Sequence, residues 1–243
     1  MRIFADYHTH TIYSHGKGTI KENVDMAIIK GLREIAISDH GPRHFLYGIK
    51  PEDLDKMRAE INAINRSTDK IKVKLGMEAN IISTDGKLDI DENIRNKLDI
   101  LLAGYHFGAL PENIGQGIKI HGRNLLAKCF TSVDRKARII NTQAVVEAIY
   151  NNSIDILTHP GAKANIDTKE VARAAAARGT ALEINSSHGY LTVEYIRIAM
   201  KEGTKFVISS DAHRPEDVGS VEAGIKKAVT AGLDVNQIIN VEE

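Results

Sequence analysis

The segment DYHTHTIYSHG, Asp6–Gly16, holds three of the chain's ten histidines. His8 and His10 stand two apart, and His15 follows a short polar stretch. Residues of the same chemistry recur down the chain. His40 lies in ISDHG, Glu78 in GMEANI, His106 in GYHFG, His159 in LTHPG, and Asp211 and His213 in SSDAHRP. Imidazole and carboxylate together are the ligand set of zinc, manganese and iron, and the lack of cysteine among them disfavours a closed structural zinc site. Nine such residues exceed the needs of one or two tetrahedral ions. Two or three metals with shared ligands and open water positions fit them better.

Each of these residues except His15 closes or follows a short apolar run. The patterning predicts strands at Ile3–His8, Glu34–Ser38, Lys72–Glu78, Ile100–Tyr105, Asp155–Thr158, Thr180–Ile184 and Lys205–Ser209. Amphipathic stretches between them predict helices at Thr19–Lys30, Glu52–Asn65, Thr142–Asn151, Thr168–Arg178, Thr192–Glu202 and Pro215–Ala231. Capping signals support several of these, with Asp167 or Thr168 opening one helix and Gly179 closing it. Repeated strand–helix alternation argues for an α/β protein with a parallel sheet and crossover helices. A closed barrel and an open doubly wound sheet both fit, but no Gly-rich nucleotide loop follows any strand. In a parallel barrel every strand delivers its C-terminal end to one mouth, where seven histidines, Glu78 and Asp211 could converge. Side chains two apart on a strand share a face, which groups Asp6 with His8 and His10 and groups Asp211 with His213. The segment Phe107–Asn141 breaks the rhythm and reads as an expanded irregular connection within a single domain spanning 1–243.

The composition, 42% hydrophobic and 26% charged with a formal net charge of zero, is that of a soluble globular chain. It gives no electrostatic case for nucleic acid or an acidic membrane. One cysteine, Cys129, excludes an internal disulfide framework and suits a reducing compartment. It has no His–acid context that would make it a nucleophile. With no signal-peptide pattern and no apolar run near the roughly 18 residues of a membrane span, the expectation is a cytoplasmic protein.

The motifs HTHTIYSHG, ISDHG, GMEANI, GYHFG, LTHPG and SSDAHRP, in this order, resemble those of the PHP (polymerase and histidinol phosphatase) superfamily. With His15, NTQAVVEAI and ALEINSS, the chain is most similar to its YcdX-like phosphatase branch. The resemblance implies a distorted (β/α)7 TIM-like barrel. It also implies three divalent ions, zinc or manganese with iron a further option, at the C-terminal mouth of the strands. The ligands it implies are His8, His10, His15, His40, Glu78, His106, His159, Asp211 and His213.

The chemistry expected of such a centre is hydrolysis of a small phosphomonoester by a metal-bound hydroxide. Glu78 is the expected bridging ligand, since a carboxylate can span two cations and imidazole cannot. Arg43 and Arg214, each close after a site histidine, are the expected phosphate-binding cations, ahead of Lys163. Glu183 and Asn185, on the one strand without a metal ligand, are expected to support the ligands from behind, with Asp6. Asp39 is assigned a structural role. His44, His121 and His188 are assigned to the surface or to substrate contact. Two further readings compete: a nuclease or phosphodiesterase on the same metals, the only one that brings in nucleic acid, and a metal-binding domain without catalysis. Neither oligomeric state nor natural substrate follows from the sequence.

Overall fold

The computed structural model describes residues 1–127 and 131–242. Cys129 lies outside the described residues. Seven parallel strands form the body: β1 (Ala5–Thr9), β2 (Glu34–Ile37), β3 (Lys72–Asn80), β4 (Ile100–Gly104), β5 (Ile156–Leu157), β6 (Ala181–Asn185) and β7 (Phe206–Ser209). They pair in chain order. Every expected strand is present, with bounds shifted by one or two residues.

The sheet nearly closes on itself, giving the distorted seven-stranded barrel. At the C-terminal end of the seam, Thr9 bridges Ala212, His10 N donates to Ala212 O at 2.8 Å, and Ala212 N donates to His8 O at 3.2 Å. Deeper along the seam, buried Asn240 substitutes for missing strand pairing. Its amide donates to Ala5 O and Ile208 O at 2.8 and 2.7 Å, and its Oδ1 accepts from Ile208 N at 3.1 Å.

Small and branched side chains fill the interior, with Ala5, Ala36, Ile100, Leu102, Ile156, Ala181 and Val207 in one buried cluster. Towards the N-terminal ends of the strands Tyr7 donates to Glu34, which pairs with Lys74 at 2.6 Å. The opposite parity of the strands, including Ile35, Ile37, Leu75, Met77, Leu182, Phe206 and Ile208, packs outward in the main core. Buried on both faces, such strands read as apolar runs rather than as alternation.

The main helices are α1 (Ile20–Ile29), α2 (Asp53–Ser67), α3 (Thr131–Asn151), α4 (Thr168–Arg178), α5 (Val193–Met200) and α6 (Glu222–Ala231). Thr19 and Glu22 form a capping box on α1. Asp167 accepts from Lys169 N and Glu170 N to open α4, and Gly179 closes it at φ +74°. Two expectations need correction. The segment expected to be irregular contains helical turns at Ile114–Gly117, Ile118–Gly122 and Arg123–Ala127, and α3 begins at Thr131 rather than Thr142. Its first turns, TSVDRKAR, are too polar to show a periodic apolar stripe. The helix expected over Pro215–Ala231 is a 3-10 turn, Pro215–Asp217, and then α6. The break holds Gly219 at φ +71°, whose N–H donates to buried Asp6. No described helix is long and apolar enough to cross a membrane.

Candidate metal centre

The strand ends converge as the barrel geometry requires. Glu78, fully buried near the end of β3, is the hub. Its Oε2 lies 3.0 Å from His40 Nδ1, 3.3 Å from His8 Nε2 and 3.6 Å from His10 Nε2. Its Oε1 lies 3.0 Å from His106 Nε2 and 2.9 Å from His159 Nε2. Asp211 makes a second focus, with Oδ1 at 3.4 Å from His8 Nε2 and 3.3 Å from His10 Nε2. His15 completes a third group with His10, His40 and His213. The nine expected residues thus fall into one contiguous cluster, and all of them but His8 and His10 line a cavity of about 120 Å³ that His188 and Lys163 also line.

The hydrogen bonds behind the cluster decide which ring nitrogens face inward. Asn80 Nδ2 donates to Asp89, so its Oδ1 must accept, and His106 Nδ1 donates to it at 2.8 Å. His8 Nδ1 donates to Glu183 Oε1 at 2.7 Å, and His213 Nδ1 to Asp211 O at 2.9 Å. Each ring then turns Nε2 into the site, the arrangement by which supporting acceptors orient metal-ligating imidazoles. Glu183 Oε2 also accepts from His159 N at 2.7 Å, and Asn185 Nδ2 links Glu183 to Asp211. Asp39 accepts from Thr11 N, Thr11 Oγ1 and Ser14 Oγ, tying down the loop that carries His15.

These residues fit a divalent metal on their own evidence. Glu78 Oε2 and the Nδ1 atoms of His10, His15, His40 and His159 are buried without a hydrogen-bond partner among the described residues. Two of these orphans, His40 Nδ1 and Glu78 Oε2, face each other at 3.0 Å. At that distance the two atoms can serve as adjacent ligands of one cation. Burial keeps His10 well below its ordinary pKa, His15 down at about 3 and His106 at about 4, so these rings stay neutral and able to ligate. Burial also opposes protonation of His8, but Asp211, Glu183 and Glu78 override it and hold His8 well above its ordinary value. The field that would keep a proton there equally attracts a divalent ion. Burial would raise Glu78 and Asp211, yet the surrounding imidazoles keep both well below the carboxylate range. His159 and Asp211 occupy left-handed backbone at φ +28° and +57°, strain of the kind that clusters at functional sites.

Several side chains stand elsewhere than expected. Asp6 does not reach the imidazoles; it accepts from Ser210 N, Ser210 Oγ and Gly219 N. A register shift between Asp6 and Thr9 breaks the alternation, so Tyr7 joins the inner apolar cluster while His8, its neighbour, also reaches across the barrel to Glu183. Arg43 Nη2 donates to Pro111 O at 2.8 Å, and half-exposed Arg214 lies 3.7 Å from Glu216. Neither lines the cavity, whereas Lys163, at φ +61°, does. His44 is not at the surface: it is buried, its ring stacked on His40 with centroids 5.0 Å apart. Half-buried His121 bonds Ala109 O. His188 belongs to the site more closely than its place after β6 suggested, with Nε2 3.3 Å from Asp211 Oδ2. Asn80 and Asp89 were not singled out from the sequence. Asn80 lies two residues beyond Glu78, so its shared face was a usable signal; Asp89 sits in a loop and offered none.

A parallel barrel with a multidentate imidazole–carboxylate cluster at its C-terminal mouth defines a class of metal-dependent (β/α) barrel enzymes. Within that class the chain belongs to the PHP domain family, whose model matches residues 6–187. A protein of Thermoanaerobacter sp. (strain X514) named as a probable phosphatase is 31% identical over 100% of this chain and 92% of its own length. A probable phosphatase of Shewanella frigidimarina (strain NCIMB 400) is 30% identical over 99% of this chain and 90% of its own. Among solved structures, histidinol phosphate phosphatase from Lactococcus lactis superposes with a TM-score of 0.62 at 18% identity, covering 95% of this chain and 94% of that one. That protein was solved with zinc, L-histidinol and phosphate.

Proposed function

We propose that this chain, a metal-dependent phosphoesterase of the PHP family, hydrolyses small phosphomonoesters at a centre of three divalent ions, zinc or manganese. The observation that carries the reading is the position of Glu78, one oxygen towards His106 and His159 and the other towards His8, His10 and His40. A carboxylate so placed would link neighbouring ions. The three groups His8–His10–Asp211, His40–Glu78–His106 and His10–His15–His40–His213 support one ion each, with ligands shared. His159 joins the second through Glu78. Ions held there would neutralise phosphoryl charge and lower the pKa of a coordinated water towards about 7.

The chain's own side chains orient and exclude. Glu183 and Asn80 fix the inward tautomers of His8 and His106. Burial of Glu78 and His10 keeps bulk water from competing for their charge and lone pairs. Lys163 is assigned to a phosphoryl oxygen in preference to Arg43 and Arg214, because it lines the cavity and they do not. The test compares p-nitrophenyl phosphate with bis-p-nitrophenyl phosphate, with manganese or zinc and after chelation. Chelator-sensitive turnover that favours the monoester is expected. Preference for the diester, or no turnover by protein shown to hold its metals, overturns the proposal.

A further inference from the structure

Beside the cluster lies a larger cavity of about 470 Å³, and the two are continuous in their lining. Lys163 borders both. Across the mouth, His188 borders the cluster and Tyr190, its ring 5.8 Å away, borders the larger space. An ester whose phosphoryl group sits among the imidazoles therefore has a roomy place beside it for its alcohol part. The volume is in the range of small-molecule sites, well beyond what a methyl or ethyl leaving group fills.

The lining of this space says what that alcohol is. Among the described lining residues only Lys163 and Asp134 are charged, and with Lys163 assigned to the phosphoryl oxygen, Asp134 is the charge left beside the alcohol. Asp134 Oδ2 accepts from Asn165 Nδ2 at 3.0 Å, which leaves Asp134 Oδ1 and the Asn165 side-chain oxygen as neighbouring acceptors. Asn165 is itself held, its backbone carbonyl accepting from Asn141 Nδ2 at 3.0 Å. Tyr190 and Tyr195, each about two-fifths exposed at 39% and 40%, add flat ring faces and hydroxyls. A carboxylate and an amide oxygen as paired acceptors, beside aromatic faces, match a ring bearing several hydroxyls. Its O–H groups need acceptors and its C–H faces pack on rings.

We infer that this cavity is the leaving-group subsite and that the substrate is the phosphomonoester of a neutral sugar, with Asp134 and Tyr190 as specificity residues. The inference rests on the phosphatase reading above. Its test uses the manganese-loaded protein with glucose 6-phosphate, phosphoethanolamine and p-nitrophenyl phosphate. Glucose 6-phosphate should exceed phosphoethanolamine in kcat/KM by about tenfold or more, one or two good hydrogen bonds' worth of discrimination. Asp134→Ala should raise KM for glucose 6-phosphate about tenfold, while inhibition by inorganic phosphate shifts by less than about twofold. Tyr190→Ala should act in the same direction and serves should Asp134→Ala misfold. Saturation-transfer NMR of glucose 6-phosphate on chelated protein gives a readout apart from turnover, and Asp134→Ala should lose that signal. Preference for phosphoethanolamine, or an unchanged KM in both variants, overturns the subsite while p-nitrophenyl phosphate turnover keeps the phosphatase reading intact. No turnover of any ester by metal-loaded protein overturns both.

Discussion

The carboxylate of Glu183 is divided between the ring of His8 and the backbone N–H of His159, at 2.7 Å from each. It touches no substrate space, yet it fixes the tautomer of one proposed ligand and the strained backbone of another. Glu183→Gln preserves its volume and removes its charge. Metal affinity by calorimetric titration and phosphatase turnover should both fall about 10–100-fold, the usual cost of losing a group that orients a ligand. Wild-type affinity in that variant would end the role. Glu78→Gln goes further, since Glu78 faces five imidazoles: most turnover and at least part of the metal stoichiometry should be lost, as read by elemental analysis after gel filtration. At this scale the candidate site was legible wherever a titratable residue followed an apolar run. Asp89 was not, because its meaning comes from Asn80 and the Arg43 backbone N–H, brought together only by folding. His188 was underweighted because a lone histidine after a strand carries no sign of which carboxylate it will meet.

Strands and helices were read from short apolar runs and caps, and the barrel needed little else. What escaped were features set by neighbours rather than by the segment itself. The register shift in β1 turns His8 and Tyr7 alike towards the interior, and no alternation rule contains it. The early turns of α3 pack on helical turns whose own signal was weak. Barrel closure is the clearest such case. The seam between β1 and β7 depends on Asn240, far from both strands in sequence and with nothing to mark it out from other asparagines. Asn240→Ala would leave the carbonyls of Ala5 and Ile208 and the N–H of Ile208 without their partner in a dry seam. Each orphaned group costs about 1–3 kcal/mol. The variant should unfold at clearly lower urea concentration, and because the adjoining ends of β1 and β7 carry His8, His10 and Asp211, its metal affinity should fall as well. A midpoint within error of wild type would show that the seam closes without this residue.

Across the whole molecule, the proposed metal centre would couple metal content to stability, and pH would separate the two. Without metal, His8 and His159 have raised pKa values, because neighbouring carboxylates outweigh the burial that alone would lower them. In the unfolded chain both titrate near the ordinary value of 6.5. Below that pH both states hold the protons and these residues contribute no slope. Above it the native state keeps protons that the unfolded state releases, so stability falls as pH rises through the folded pKa values. Glu78 and Asp211, held low, change charge at lower pH, while Asp6, Asp39 and Asp89, pushed up by burial, act in the same direction as the two histidines. Urea midpoints of chelated protein should therefore decline as pH rises above about 6.5. If His8 and His159 ligate as proposed, manganese or zinc would displace those protons, since a ligating imidazole must be neutral. The loaded protein should be more stable at every pH in that range, and its midpoint should be flat or rise with pH, because there binding no longer competes with protonation. A declining limb undiminished by metal loading would count against His8 and His159 as ligands.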